Sequence, residues 1–184
     1  MTVASKQLTA VELEAGLAEI SRSPEDHGVL EMIVRRPQVG EREILQEGQL
    51  NVAEGLAGDN WRSRGSGRTP NPDVQLTLMN TRVAALVAQD KSRWHLAGDQ
   101  LFVDLDLSAD NLPAGTRLSI GSAVIEVTAV PHTGCAKFVE RFGLDAMKFV
   151  NADEHRAKRM RGINTRVVQP GVIRVGDTAH KLSG

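Results

Sequence analysis

The sequence predicts a mainly β fold, a barrel of short strands with a few helices packed outside it. Three observations carry this. From residue 29 onward, short apolar runs recur between glycine and proline turns, the pattern of a small closed barrel. Residues 101–107 alternate strictly, with Leu101, Val103, Leu105 and Leu107 against Phe102, Asp104 and Asp106, as a half-buried extended segment does. Residues 117–120 and 123–130 flank Gly121-Ser122, which reads as a hairpin around a glycine turn.

Taken in order, the first element is a helix over 9–22. Thr9 and Glu12 have capping-box spacing, in which each side chain satisfies the other's free amide. Val11, Leu13, Leu17 and Ile20 give this helix a loose apolar face. Residues 1–28 are expected to form an N-terminal helical extension, and 29–184 the main domain. Residues 29–35 are β-branched and apolar enough for a strand, which Arg36-Pro37 ends. Residues 53–73, with Gly55, Gly58, Gly65, Gly67, Pro70 and Pro72, predict a long irregular loop of the kind that carries function. A strand over 74–79 leads to Asn80, which can cap a helix over 81–90. Pro113-Ala114-Gly115 turns the chain into the hairpin. Residues 135–150 and 152–160 read as helical. Residues 163–168 and 172–175 read as strands about Pro170-Gly171.

Composition excludes several classes. The 184 residues suffice for one domain with a sizeable core, or one domain with a terminal extension. A net charge of −1 offers no bulk attraction to nucleic acid or anionic membrane, and 3% aromatic residues with no tyrosine leave no stacking platform for single strands. No nucleic-acid or membrane partner is therefore expected. The one cysteine rules out an internal disulfide, and the first twenty residues lack a basic flank followed by an apolar run. A cytoplasmic protein is the expectation.

The chemistry concentrates in two places. Cys135 lies in Pro131-His132-Thr133-Gly134-Cys135-Ala136-Lys137-Phe138, after a strand and at the opening of a helix. Unpaired amides and the positive end of the helix dipole favour a thiolate there, with Lys137, Arg141 and His132 adding positive charge. Thiolate attacks a persulfide or ligates a soft metal. The bland alternative is a small buried hydrophobe. The second place is Asn60-Trp61-Arg62-Ser63-Arg64-Gly65-Ser66-Gly67-Arg68, where three arginines, glycines and a tryptophan suit a phosphate- or pterin-bearing anion, against a solvated surface loop. Gly65-Ser66-Gly67 lacks the residues and setting of a nucleotide motif, so no nucleotide is expected. Arg156, Lys158, Arg159 and Arg161 read as a solvated helix face. His27, His95, His155 and His180 have no ligand spacing to one another or to Cys135, so no zinc is expected either.

The order of several segments resembles the MOSC domain, found at the C-terminus of molybdenum cofactor sulfurases. The segments are Gly55-Leu56-Ala57-Gly58-Asp59, Asp73 to Leu78, Gly98-Asp99-Gln100-Leu101, Leu112 to Leu118, Gly121 to Val127, Cys135 at the position of the family cysteine, Arg161 to Val168, Pro170-Gly171 and Gly176-Asp177. The similarity covers about residues 29–178. It implies a β-barrel like that of the pyruvate kinase barrel domain, and a link to molybdenum cofactor or sulfur transfer. Two local departures are Asn60-Trp61, where the family often has Arg-His, and Gly134, where it often has proline. The pyridoxal-phosphate desulfurase region of the larger members is not represented, so the resemblance implies that sulfur arrives from a partner.

Three readings stand open. In the first, a cofactor's dithiolene and the Cys135 thiolate hold molybdenum, and a redox partner protein supports reduction of a small molecule, for instance an N-hydroxylated one. In the second, Cys135 receives sulfur from a desulfurase as a persulfide and passes it on. In the third, the barrel persists as a binding domain without catalysis. The expected roles are Cys135 as metal ligand or sulfur carrier, with His132 and Lys137 beside it in the chemistry. Asp59, Arg62, Arg64 and Arg68 would line the anion side of a cleft that Arg161 and Asn164 close.

Overall fold

The computed structural model describes residues 6–64, 67 and 69–183. Along the chain come α1 (Ala10–Ala15), α2 (Leu17–Ile20), β1 (Gly28–Arg35), β2 (Glu43–Leu45), β3 (Glu47–Asn51) and β4 (Gly55–Leu56). They are followed by β5 (Leu76–Asn80), α3 (Thr81–Ala88), β6 (Leu101–Asp104), β7 (Arg117–Ile120) and β8 (Ala123–Val127). The rest are α4 (Ala136–Phe142), α5 (Leu144–Asn151), β9 (Ile163–Gln169), β10 (Gly171–Arg174) and β11 (Thr178–Lys181), with 3-10 turns at Asn60–Ser63, Pro72–Val74, Lys91–Ala97 and Asp153–Lys158.

Seven strands close the expected barrel, in the order β1-β6-β5-β9-β8-β7-β11, with β11 returning to β1 through Gly28↔Ala179 and Val29↔Thr178. Closure leaves no unpaired edge in the ring. All pairings are antiparallel except β5 with β6, whose parallel register needs a crossover, and α3 with the 3-10 turn after it supplies that. Alternation sorts the side chains. Leu30, Ile33, Leu78, Leu101, Ile125 and Val167 fill the barrel. Met79, Val83, Phe102, Phe138, Phe142 and Phe149 form a second apolar cluster between the barrel wall and the helices. In β1 a bulge between Leu30 and Met32 resets the phase, so that Ile33 points inward and Val34 outward. A second sheet, β10-β3-β4, adds Leu50, Leu56 and Ile173 to the barrel core.

The structure refines several boundaries. The capping box at Thr9 and Glu12 is formed and Asn80 caps α3, but the first helix parts at Gly16. The helix expected over 135–150 divides at Gly143, whose φ of +96° leaves the helical region, and 152–160 is a 3-10 turn. The strand expected over 101–107 stops at Asp104. Leu105 and Leu107 still enter the core, while Asp106 turns its carboxylate to the Ser108 amide. The strands β9 and β10 flank Pro170 but do not pair with each other, and join different sheets. Helices α1 and α2 pack on α5 and α3, and Leu13 and Ile20 are part of the outer cluster. Among the described residues no helix is long and apolar enough to cross a membrane.

Candidate functional site

One end of the barrel opens into a cleft of about 620 Å³. Its walls come from the chain after β1, the 3-10 turn at Asn60–Ser63, the loop before β6, the segment 131–135, the first turn of α4 and the start of β9. Six cationic side chains line it: Arg36, Arg42, Arg64, Lys137, Arg141 and Arg161. No carboxylate does, among the described residues. Cys135 is exposed on the same wall.

Two buried carboxylates beneath the cleft hold two of these arginines in place. Asp59, wholly buried, accepts from Arg36 Nε at 3.0 Å and Nη2 at 2.7 Å, and also from the Arg36 and Trp61 amides. Asp99, equally buried, accepts from Arg161 Nη1 at 2.6 Å and lies 3.0 Å from His132 Nε2. Three successive carbonyls then spread the guanidiniums round the cleft. Leu96 accepts from Arg141, Ala97 from Arg161 and Gly98 from Arg36, at 2.7, 2.9 and 3.0 Å. These carbonyls lie at the C-terminal end of the 3-10 turn Lys91–Ala97, the negative end of its dipole. The Phe138 ring lies 5.1 Å under the Arg161 guanidinium.

The electrostatics leave an excess of positive charge. Burial, and then the guanidiniums of Arg141, Arg36 and Arg64, pull Arg42 below its ordinary pKa, a sign of crowded like charges. Among the described residues, the Nε atoms of Arg42 and Arg161 are buried without a partner. Burial alone would raise the pKa of Asp99, but Arg161 and His132 outweigh it and hold the carboxylate at about 2. Burial and the Arg161 charge push His132 below its ordinary value, so the ring is neutral near pH 7. Asp99 being ionised, His132 Nε2 carries the proton and Nδ1 remains an acceptor. The expectation that His132 adds positive charge beside Cys135 is thus corrected.

Cys135 occupies the N-cap of α4 in extended conformation, with no side-chain cap bond. Burial opposes its ionisation, yet the backbone amides of Phe138 and Lys137 and the guanidiniums of Arg161 and Arg141 prevail, and its thiol lies below the ordinary range. Asn151 fixes the approach to it, accepting from the Gly134 amide at 2.7 Å and donating to the Gly134 carbonyl at 3.1 Å. Asn164 donates to the carbonyls of Val130 and Pro131, which holds the segment carrying His132. Gly162 admits no side chain. Its φ is +112°, and a Cβ would stand 2.1 Å from the Leu78 carbonyl oxygen. An expected consequence is that iodoacetamide alkylates Cys135 with a pH midpoint below that of the same thiol in the unfolded chain. Arg141→Gln should raise that midpoint, and a midpoint that does not move would show that Arg141 does not act on the sulfur.

The structure therefore gathers Cys135, His132, Lys137, Arg64, Arg161 and Asn164 about one cleft. It places Asp59 below the wall as the anchor of Arg36 rather than on it. Arg62, exposed on the same 3-10 turn as Asn60, does not line the cleft, and Arg68 lies outside the described residues. Sequence reasoning missed Arg36, Arg42 and Asp99 as site residues. The Arg-Pro that ends β1 and the Gly-Asp after the 3-10 turn were visible, but nothing in their spacing brings them together. An adjoining, more apolar recess of about 740 Å³, walled by Val130, Val150, Ala157 and Ile163, shares His132 and Arg161 with the cleft.

Comparison with known proteins follows from this geometry. The model of the MOSC domain family matches residues 80–180. No curated protein matches the sequence. Among solved structures, the YuaD protein from Bacillus subtilis is 14% identical with a TM-score of 0.64, covering 85% of this chain and 97% of that one. YiiM from Escherichia coli is 19% identical with a TM-score of 0.54, over 85% of this chain and 70% of that one. YiiM from Geobacillus stearothermophilus is 14% identical with a TM-score of 0.53, over 86% and 73%. At these identities the likeness is one of fold.

Proposed function

The chain belongs to the MOSC domain family, and from that premise we propose that its cationic cleft binds a molybdenum cofactor, with Cys135 as the protein's ligand to the metal. The observation that carries this reading is a lowered, exposed thiol on the wall of a cleft lined by six cations and no carboxylate among the described residues. The cofactor is a strong anion, bearing a phosphate and a dithiolene. Arg42, Arg64, Arg141 and Lys137 lack a buried carboxylate partner in the cleft and would hold the phosphate, arginine offering a bidentate fork. The unpartnered Nε atoms of Arg42 and Arg161 are donors that an anion would satisfy. Thiolate is a soft ligand of the kind molybdenum accepts. Among the described residues no group of three protein ligands includes Cys135, which fits a metal whose other ligands come with the cofactor. When bound, the cofactor supplies two-electron redox chemistry at its metal.

The chain's own residues then orient the substrate. Neutral His132, donating Nε2–H to Asp99, keeps Nδ1 as an acceptor for a substrate O–H or N–H. The adjoining recess, sharing His132, accommodates an apolar body. A small N-hydroxylated molecule fits this pairing. Its reduction takes two electrons from a redox partner protein and two protons, and yields the amine and water.

The exposure and lowered pKa of Cys135 also favour a second reading, sulfur carriage. The thiolate would attack the terminal sulfur of a donor persulfide. One S–S bond breaks, a new one forms on Cys135, and the donor leaves as its thiolate. Intact-mass and metal analysis of freshly purified, non-reduced protein tests both. Near-stoichiometric molybdenum supports the cofactor reading. A mass gain of one sulfur atom on Cys135 without metal replaces it with the carrier. Protein made in cells with intact cofactor supply that carries neither would overturn both in favour of a barrel kept for binding alone.

A further inference from the structure

A second cluster of potential ligands sits away from the cleft, where the barrel closes. Asp26 and His27 form the turn before β1, and His180 lies on β11, the strand that pairs with the start of β1. Asp26 Oδ2 is 3.1 Å from His180 Nδ1 and 3.4 Å from His27 Nδ1. The two imidazole rings stand 4.4 Å apart, tilted by 39°. All three ligand atoms lie within 4.8 Å of one another.

Both imidazole nitrogens lie at ion-pair distance from the Asp26 carboxylate, but among the described residues neither makes a hydrogen bond to it. His180 Nδ1 is shielded from solvent and, among the described residues, has no hydrogen-bond partner, although a carboxylate oxygen stands beside it. The three ligand atoms lie close enough to one another to share a single ion at a point between them. His27 reaches that point from a left-handed backbone, with φ of +55°, a conformation that costs a residue with a side chain and persists where the surroundings impose it. The third member is held for the purpose. Asp26 Oδ1 accepts from the amides of His27 and Lys181, both at 2.8 Å, which leaves Oδ2 turned to the rings. Such outer hydrogen bonds orient a ligating carboxylate. The one nearby cation on β11, Lys181, is directed elsewhere, with its ammonium on Asn111 at 2.7 Å.

We propose that Asp26, His27 and His180 form a binding site for an imidazole-preferring divalent transition metal such as zinc, at the seam between β1 and β11. Two imidazoles and one carboxylate make a three-ligand set, and the exposure of His27 leaves the remaining position to water or an outside ligand. The site is independent of the Cys135 cleft. Zinc bound there ties the turn before the first strand to the last strand, so it favours the closed barrel over the open chain. The pattern was invisible in the sequence because its members come from opposite ends of the chain, and the absence of ligand spacing among the histidines holds only along the sequence.

Zinc titration of the metal-free full chain, by equilibrium dialysis and by thermal melting, tests the proposal. Cys135→Ala protein should bind zinc as the wild type does at this site, since the thiol takes no part. His180→Ala should weaken binding by about tenfold or more and abolish the zinc-dependent rise in melting temperature. His27→Asn should do the same, and asparagine tolerates the positive φ, so the fold is retained and loss of binding reports the ligand alone. Zinc affinity and melting shift that survive in both variants overturn the proposal, as does a wild-type chain with no saturable zinc binding. Binding lost only in Cys135→Ala would assign the metal to the thiol and overturn it too.

Discussion

Asp99→Asn is expected to destabilise the protein by about 3–5 kcal/mol, because it leaves the Arg161 guanidinium buried with no countercharge. The Asp99 side chain is fully buried and that of Arg161 is only 8% exposed, so solvent does little to screen the change. For a domain of this size the loss corresponds to a fall in melting temperature of about 6–20 °C. The pH dependence identifies the cause. Asp99 has its folded pKa depressed from 3.8 to about 2, so its contribution is fully present above the unfolded value and is lost as pH falls through the folded one. Urea unfolding of wild type and variant at a series of pH values should therefore show a gap that is constant near neutrality and narrows between those two values. A gap under about 1 kcal/mol at pH 7 would sink the account. A double variant, Asp99→Leu with Arg161→Met, distinguishes an unpaired charge from a lost attraction. It should recover most of the stability, since replacing a buried pair by apolar groups of similar volume is often neutral.

That Asp99–Arg161 contact also shows where sequence reading ends. Gly98-Asp99 and Arg161-Gly162 are both visible as segments, but their meeting depends on β5 lying between β6 and β9 in the barrel. Features set by near neighbours were legible. The capping box at Thr9, the Asn80 cap, the glycine turn at 121 and the alternation through Leu101 and Val103 are short-range consequences of side-chain chemistry. Strands β2 and β3 were not. Glu43, Ile44, Glu47 and Gln49 are exposed, so no apolar run marks these strands, and only pairing with β1 and β10 makes them extended. β11 escaped for the same reason, since it is defined by closing the ring. In the cleft, Cys135, His132 and Lys137 were legible because they share one segment. Arg36 and Arg42 were not, because their positions are set by Asp59 and the Gly98 carbonyl, or by the cleft itself, from parts of the chain remote in sequence.

If the cleft holds a molybdenum cofactor or carries sulfur as proposed, Cys135→Ser is expected to abolish that binding or loading while leaving stability unchanged or raised. The two halves of this expectation have separate causes. A serine hydroxyl is a hard, un-ionised oxygen near pH 7, so it provides neither the soft metal ligand nor the nucleophile that the thiolate provides. In the fold, however, residue 135 stands at the N-cap of α4 with φ of −127° and ψ of −178°, the extended conformation an N-cap adopts, and the cysteine makes no side-chain cap bond. Serine is among the preferred residues there. Its oxygen can accept from the same first-turn amides that face the sulfur, so the cap is kept or strengthened, by about 1 kcal/mol at most. Denaturation and metal or persulfide analysis of the same Cys135→Ser preparation should show the chemistry gone and the fold at least as stable. A variant that loses stability by about 2 kcal/mol or more would mark Cys135 as a packing residue, since exposed positions outside special features rarely cost that much. A variant that is equally stable and still carries its molybdenum would move the metal to other ligands and leave the cationic cleft as an anion site without a thiolate at its centre.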